Sequence, residues 1–284
     1  MTSMLDDGIY PDVAREQYDS IDRSNFSLLK LMKWSPAHYK HALVTPVPDS
    51  DAKKVGRVVH LAAFEPERFR NAIAVWDGGT RRGKDWDAFK ERNQGKELLT
   101  ENEYARCMSV QKAVQSHATA MRYVQRGQGE VSMLWTTKVG EAVVKAKGRI
   151  DFNSASAIVD LKTTRDASPD AFGRQAHDLS YVAQAAWYCD GYEAATGVKK
   201  PYVIIAVESE APFVVQPYIV PEGLIELGRE EYRGWLDKLL FCRSQYYWPG
   251  YSDGSELELS LPPWALPKED EDLSGEGLIL GSAR

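Results

Sequence analysis

Cysteine is scarce in this 284-residue chain: Cys107, Cys189 and Cys242 stand far apart, with no Cys-x-x-Cys pair. Their spacing and odd number argue against a zinc or iron–sulfur site built from thiolates, and for a reducing cytoplasm. No stretch approaches about 18 consecutive apolar residues, so no membrane span is expected. Met1 to Asp12 lacks a basic flank ahead of an apolar run, so no signal peptide is expected either. Internal repeats of solenoid period are absent. What remains is 43% hydrophobic and 27% charged, enough to bury a sizeable core in one large domain or two small ones.

Basic residues are not in excess, since the net charge is −6, which by itself argues against nucleic acid as a partner. The location of the charge removes that objection. Residues 252–284 hold eight acids and two bases, a net −6, which leaves residues 1–251 with 33 of each. Pro262, Pro263 and Pro267 mark this stretch as an acidic flexible tail. The body is neutral and must be judged by local charge.

Patterning divides that body. Residues 1–23 are expected as an N-terminal extension, and 24–251 as one domain with a helical arm at 24–126. Within the arm, Ser24-Asn25 and Ser35-Pro36 read as helix starts, and helices are expected at about 54–64 and 103–125, with a loop and then a helix over 76–96. From 130 to 210 the pattern reads βββαβ: strands at 130–137, 141–152 and 156–163, a helix at 181–195 and a buried strand at 202–207. A strand from 212 to 219 and a helix from 223 to 246 close the domain, giving a mixed sheet with helices on both faces.

Polar residues are concentrated on the middle strands. Side chains two apart share a strand face, so Lys145, Lys147, Arg149 and Asp151 are expected to align, as are Asp160 and Lys162. Two carboxylates and a lysine converging from neighbouring strands suit metal-assisted phosphodiester hydrolysis. Mg²⁺ or Mn²⁺ prefers oxygen ligands and lowers the pKa of its water, and an adjacent ammonium can orient that water and stabilise the transition state. Lys145, Lys147 and Arg149 would form a phosphate track beside Asp151. Arg81, Arg82 and Lys84 beside Trp86 read either as a solvated loop or as phosphate contacts with base stacking. His38 and His41 mimic ligand spacing but read as solvated.

Gly148-Arg149-Ile150-Asp151, eight residues, then Asp160-Leu161-Lys162 resembles the core motif of the PD-(D/E)xK nucleases, with Ile150 in place of Pro and Asp160 in place of Glu. Gln184 and Tyr188 resemble the Gln-x-x-x-Tyr motif of the RecB-like branch, and Gly56 to His60 its Gly-x-x-x-His segment. Together they are most similar to the C-terminal nuclease of the RecE (exonuclease VIII) family. That resemblance implies an α/β, restriction-endonuclease-like core: a central mixed β-sheet flanked by helices, with the N-terminal helical arm. It implies Asp151, Asp160, the Leu161 carbonyl and His60 as ligands to Mg²⁺, for which Mn²⁺ can substitute. Lys162 would be the catalytic lysine, Glu130 an additional acid, and Gln184 and Tyr188 would orient the scissile strand or the lysine. Without the motif His60 reads as a hydrogen-bonded core histidine; Gln184 and Tyr188 read equally as core-facing polar residues, and Glu130 equally as a surface acid.

The activity so implied is 5′→3′ digestion of linear double-stranded DNA, leaving 3′ single strands for a RecT-like annealing protein in recombination. A ring-shaped homo-oligomer, a phage or prophage origin and a bacterial cytoplasmic location follow from the same likeness. Two alternatives are a RecB- or Cas4-like nuclease preferring single strands, with the three isolated cysteines counting against the Cas4 form, and a non-catalytic DNA-end-binding module on the same fold.

Overall fold

The computed structural model describes residues 5–45 and 51–262, apart from the side chains of 51–54. The chain opens with β1 (Gly8–Tyr10), α1 (Arg15–Ser20), β2 (Ser24–Asn25) and α2 (Phe26–Leu29). Asn25 Oδ1 caps α2 by accepting the Leu28 N–H at 3.0 Å. Ser35 caps α3 (Pro36–Val44) in the same way, with Pro36 in the first turn, where its missing N–H costs nothing. Then come α4 (Asp51–Phe64), α5 (Pro66–Ala72), β3 (Ile73–Trp76), α6 (Lys84–Arg92), β4 (Glu97–Thr100), α7 (Glu101–Ser116) and α8 (Ala118–Val124). The second half contains β5 (Gly127–Val139), β6 (Ala142–Ser154), β7 (Ile158–Thr164), α9 (Pro169–Asp178), α10 (Tyr181–Thr196), β8 (Tyr202–Glu208), β9 (Val215–Val220) and α11 (Glu222–Gln245).

The expected βββαβ order is present, with four differences elsewhere. Residues 8–25, placed mostly in an extension, supply strands β1 and β2 to the sheet and helix α1 beside it. The single helix expected over 103–125 is two, because His117 takes an extended backbone and its side chain caps α8 by accepting from Ala120 N–H. β3 and β4 form a separate parallel pair, Ile73–Trp76 against Glu97–Thr100, flanking the 76–96 stretch read as loop and helix, where no strand was expected. Between β7 and α10 lies α9, begun by Ser168-Pro169, the same start signal as Ser35-Pro36. Pro46, Pro48 and residues 263–284 of the acidic tail fall outside the described residues; 252–262 are in neither helix nor strand.

The main sheet runs β1-β5-β6-β7-β8-β9, with β2 parallel against β6 at Ser24↔Ala146 and Asn25↔Lys147. β5–β6, β6–β7 and β8–β9 are antiparallel, while β7–β8 is parallel, bridged by α9 and α10. β8 shows why both faces are covered. Tyr202, Ile204 and Ala206 join one core with α2, α3, α10 and α11, whereas Val203, Ile205 and Val207 join a second with α4, α7 and α8. A strand buried on both sides reads as continuous apolar sequence, as Tyr-Val-Ile-Ile-Ala-Val does.

Candidate active site

The site forms where the sheet opens. β6 and β7 pair only at Phe152↔Val159 and Asn153↔Ile158. Beyond these pairs the Asp151 carboxylate takes over from the ladder, Oδ2 accepting the Leu161 N–H at 3.0 Å. A backbone donor that would otherwise be orphaned is thus satisfied, and Asp151 is fixed beside Asp160-Leu161-Lys162. The regular alternation of β6 also breaks here. Ile150 and Phe152, both even-numbered, pack in opposite cores. Opposite Asp151 on β5, Glu130 has φ 54°, a left-handed conformation that a non-glycine residue adopts at a cost.

Helix α4 brings in His60. Its Nε2 donates to the Leu161 carbonyl at 2.7 Å, and its Nδ1 lies 3.3 Å from Asp151 Oδ2. Both ring nitrogens face oxygen acceptors, which suits the doubly protonated ring. Burial opposes that charge, but Asp151 and then Asp160 outweigh it and raise the imidazolium pKa to about 9. Burial alone would raise the Asp151 carboxyl; His60 and Lys162 more than offset it and hold Asp151 below the ordinary carboxylate range. Asp160 lacks such compensation. Burial and the neighbouring Asp151 charge raise its pKa to about 7 against the attraction of Lys162.

Lys162 Nζ lies 2.7 Å from Asp160 Oδ2, yet that buried oxygen receives no well-aligned hydrogen bond. His60, Glu130 and Asp151 each offer a ligand atom within 4.8 Å of the others. With Asp160 and the Leu161 carbonyl, the donor set is mostly oxygen with one imidazole, which fits a hard divalent cation rather than a thiolate-bound one. A cleft of about 640 Å³ lies alongside, lined by Arg15 and Tyr18 of α1, Arg57 and His60 of α4, Arg68, Asp151 and Tyr188.

A family model described as a PDDEXK-like domain of unknown function (DUF3799) matches residues 25–259. The chain belongs to that family. Its fold is that of a PD-(D/E)xK nuclease, as the opened sheet and the Asp151/Asp160/Lys162 placement already indicate. Among solved structures, a "Putative exonuclease" from Eubacterium rectale is similar at 18% identity and TM-score 0.62, covering 88% of this chain and 96% of its own. The crystal structure of SSO0001 matches at 17% identity, covering 72% of this chain and 83% of its own, with a TM-score of 0.28. No curated protein sequence matches.

Within this PDDEXK-like domain, Asp151 and His60 contact Leu161, His60 and Glu130 lie near Asp151, and Lys162 lies against Asp160. Tyr188 lines the cleft, and its ring explains Gly148: a Cβ there would lie 2.5 Å from Tyr188 Cε1. Gln184, one turn earlier on α10, is not among the lining residues.

The proposed phosphate track needs correction. Lys147 is buried, and its Nζ donates to the carbonyls of Tyr18 (2.8 Å), Asp19 (3.2 Å) and Ile21 (2.8 Å). Arg149 is bound by Glu130 at 2.6 Å and donates to the Val13 carbonyl at 3.1 Å. Both side chains line the cleft, but their contacts hold the N-terminal segment in place, a use that strand periodicity cannot distinguish from phosphate binding. Arg81 is likewise taken, by Glu103 and the Leu98 carbonyl, whereas Arg82, Lys84 and Lys145 are exposed. Arg15, Tyr18, Arg57 and Arg68 were not anticipated. Only Arg57 carried a signal, as the residue after Gly56 in the Gly-x-x-x-His segment.

Proposed function

We propose that this protein is a Mg²⁺-dependent 5′→3′ double-stranded DNA exonuclease that leaves 3′ single-stranded overhangs for recombination by annealing. The observation that carries the reading is the convergence of Asp151, Asp160 and Lys162 with His60 at the parting of β6 and β7. Asp151, Asp160, Glu130, His60 and the Leu161 carbonyl would hold the cation. Once bound, it would supply Lewis-acid stabilisation of the phosphate charge and an acidified water. Lys162 stands where an ammonium can orient that water and offset the growing negative charge. Tyr188 would orient the scissile strand from the cleft wall, where Arg15, Arg57 and Arg68 stand paired with Asp19, Glu97 and Glu65 and would have to exchange those carboxylates for phosphate.

Direction, duplex preference and the recombination role rest on the likeness to the RecE nuclease in the Gly-x-x-x-His, Asp-x-Lys and Gln-x-x-x-Tyr segments. A RecT-like annealing partner, a ring-shaped homo-oligomer and a phage or prophage origin in the bacterial cytoplasm belong to the same proposal. Among the described residues no helix is long and apolar enough to cross a membrane.

The test uses linear duplexes labelled at one end, with each 5′ end phosphorylated or blocked, and a matching single strand, all with Mg²⁺ or Mn²⁺. The expected result is stepwise loss from phosphorylated 5′ ends of the duplex, abolished in Asp160→Ala and Lys162→Ala. An intact substrate, or undiminished cleavage by Asp160→Ala, refutes nuclease action at this site. Preference for the single strand would replace the duplex reading with the RecB-like one.

A further inference from the structure

Lys162 has a second close neighbour besides Asp160. Its Nζ lies 4.8 Å from the centroid of the Tyr181 ring, within the range for attraction between an ammonium and an aromatic face. The lysine side chain is only 16% exposed, so the charge has lost most of its water and the interaction is correspondingly stronger.

Tyr181 is itself anchored. Its hydroxyl oxygen accepts from Gln175 Nε2 at 3.2 Å, and Gln175 Oε1 accepts from Thr164 Oγ1 at 2.8 Å. Thr164 lies two residues beyond Lys162 on β7, hence on the same strand face. The ring of Phe172 on α9 packs against Tyr181 at a centroid distance of 6.0 Å. The strand carrying the lysine is therefore tied, through α9, to the ring that the lysine contacts. A side chain with four rotatable bonds is held beside Asp160 by two partners of different kinds, a carboxylate and a π face.

We infer that Tyr181 is a positioning residue for Lys162: its ring, fixed through Gln175 to Thr164, keeps the ammonium directed at the reacting phosphate. This inference rests on the nuclease reading above. It differs from a purely structural role for Tyr181, under which loss of the ring lowers stability but leaves the turnover of folded protein unchanged.

Two measurements test it. In steady-state cleavage of the phosphorylated duplex, Tyr181→Leu is expected to lower kcat about 10- to 100-fold with KM nearly unchanged, as displacement of a catalytic group does. Tyr181→Phe, which retains the ring, is expected to restore most of the rate. The second readout needs no cleavage. With ¹³C-labelled lysine, the Lys162 Cε–Hε signal is expected upfield by ring current in wild type and Tyr181→Phe, and at an ordinary position in Tyr181→Leu. Gln175→Ala, which leaves the ring but removes its anchor, is expected to reduce the shift, and it serves if Tyr181→Leu does not fold. Unchanged kcat in folded Tyr181→Leu, or an unshifted Lys162 signal in wild type, overturns the inference. If wild type cleaves no DNA but the shift is present, the nuclease reading falls while the lysine–ring contact stands.

Discussion

Lys147 separates two uses of a basic residue that look identical in sequence. Replacing it with Met keeps the apolar stem and removes the ammonium. Three carbonyls near the C-terminal end of α1, those of Tyr18, Asp19 and Ile21, then lose their shared donor, and the Tyr18 ring, 4.6 Å from Nζ, loses its cation. Hydrogen bonds from a charged donor contribute about 1.5–3 kcal/mol each in net terms. Against this stands the cost of burying the ammonium, which holds the Lys147 pKa below its ordinary value. The carbonyls also adjoin the cleft, where water can replace part of what is lost. A net loss of about 2–3 kcal/mol is expected, felt first as local opening of the N-terminal segment. At 1.36 kcal/mol per tenfold, that corresponds to roughly 30- to 150-fold faster amide exchange. The amides of Tyr18, Ile21 and Arg23, bonded to the carbonyls of Ala14, Tyr18 and Ile21, are the reporters. Hydrogen exchange read by mass spectrometry over residues 8–25 measures the change. If exchange there stays within twofold of wild type while DNA affinity collapses, the structural account of Lys147 is wrong and the phosphate track is restored.

Three further outcomes follow from the same geometry. Gly148→Ala brings a Cβ into the space of the Tyr188 ring and is expected to cost about 1–3 kcal/mol in urea unfolding; a neutral effect would mean that the ring moves freely. In metal-free protein the raised His60 pKa stabilises the fold. That contribution is complete below about pH 6.5, the unfolded value, and disappears as pH rises through about 9. Thermal melts in EDTA should therefore show His60→Gln less stable than wild type at pH 6 and the two converging near pH 9.5; a gap that widens with pH contradicts the assignment. Arg229 grips Asp190 through contacts of 2.7–3.0 Å and shares it with the Tyr232 hydroxyl, and none of the three lines the cleft. Arg229→Met, by leaving the half-buried Asp190 with only the Tyr232 hydroxyl and a longer contact to Arg233 at 3.9 Å, is expected to cost about 1–3 kcal/mol, measured by urea unfolding, and equal stability would place the pair among the inconsequential surface bridges.

Much of the core was legible because its signals are local. Alternation over 141–152 and the apolar runs at 156–163 and 202–207 place β6, β7 and β8 within a few residues. Ser35-Pro36 marks α3 without reference to any neighbour. The missing pieces are those whose reason is not local. β3 and β4 are four residues each and exist as strands only by pairing with one another across α6. β1 and β2 are shorter still and owe their conformation to β5 and β6. At the site, the Asp151, Asp160 and Lys162 pattern could be read because strand periodicity constrains which side chains share a face. Tyr181, Arg15 and Tyr18 could not, since their roles arise from where α10 and α1 pack.

The acidic balance of the whole chain is a property of composition, and its concentration in residues 252–284 is visible from the sequence alone. So is the βββαβ order of the middle of the chain. Tertiary structure alone decided which charges remain available. Lys147 and Arg149 share a face with Asp151 by periodicity, but both are consumed by the N-terminal segment folded across them. Periodicity assigns a side chain to a face; it cannot say what else is packed there. A buried ammonium or guanidinium must find oxygen partners, and when backbone carbonyls supply them that charge is no longer free for DNA.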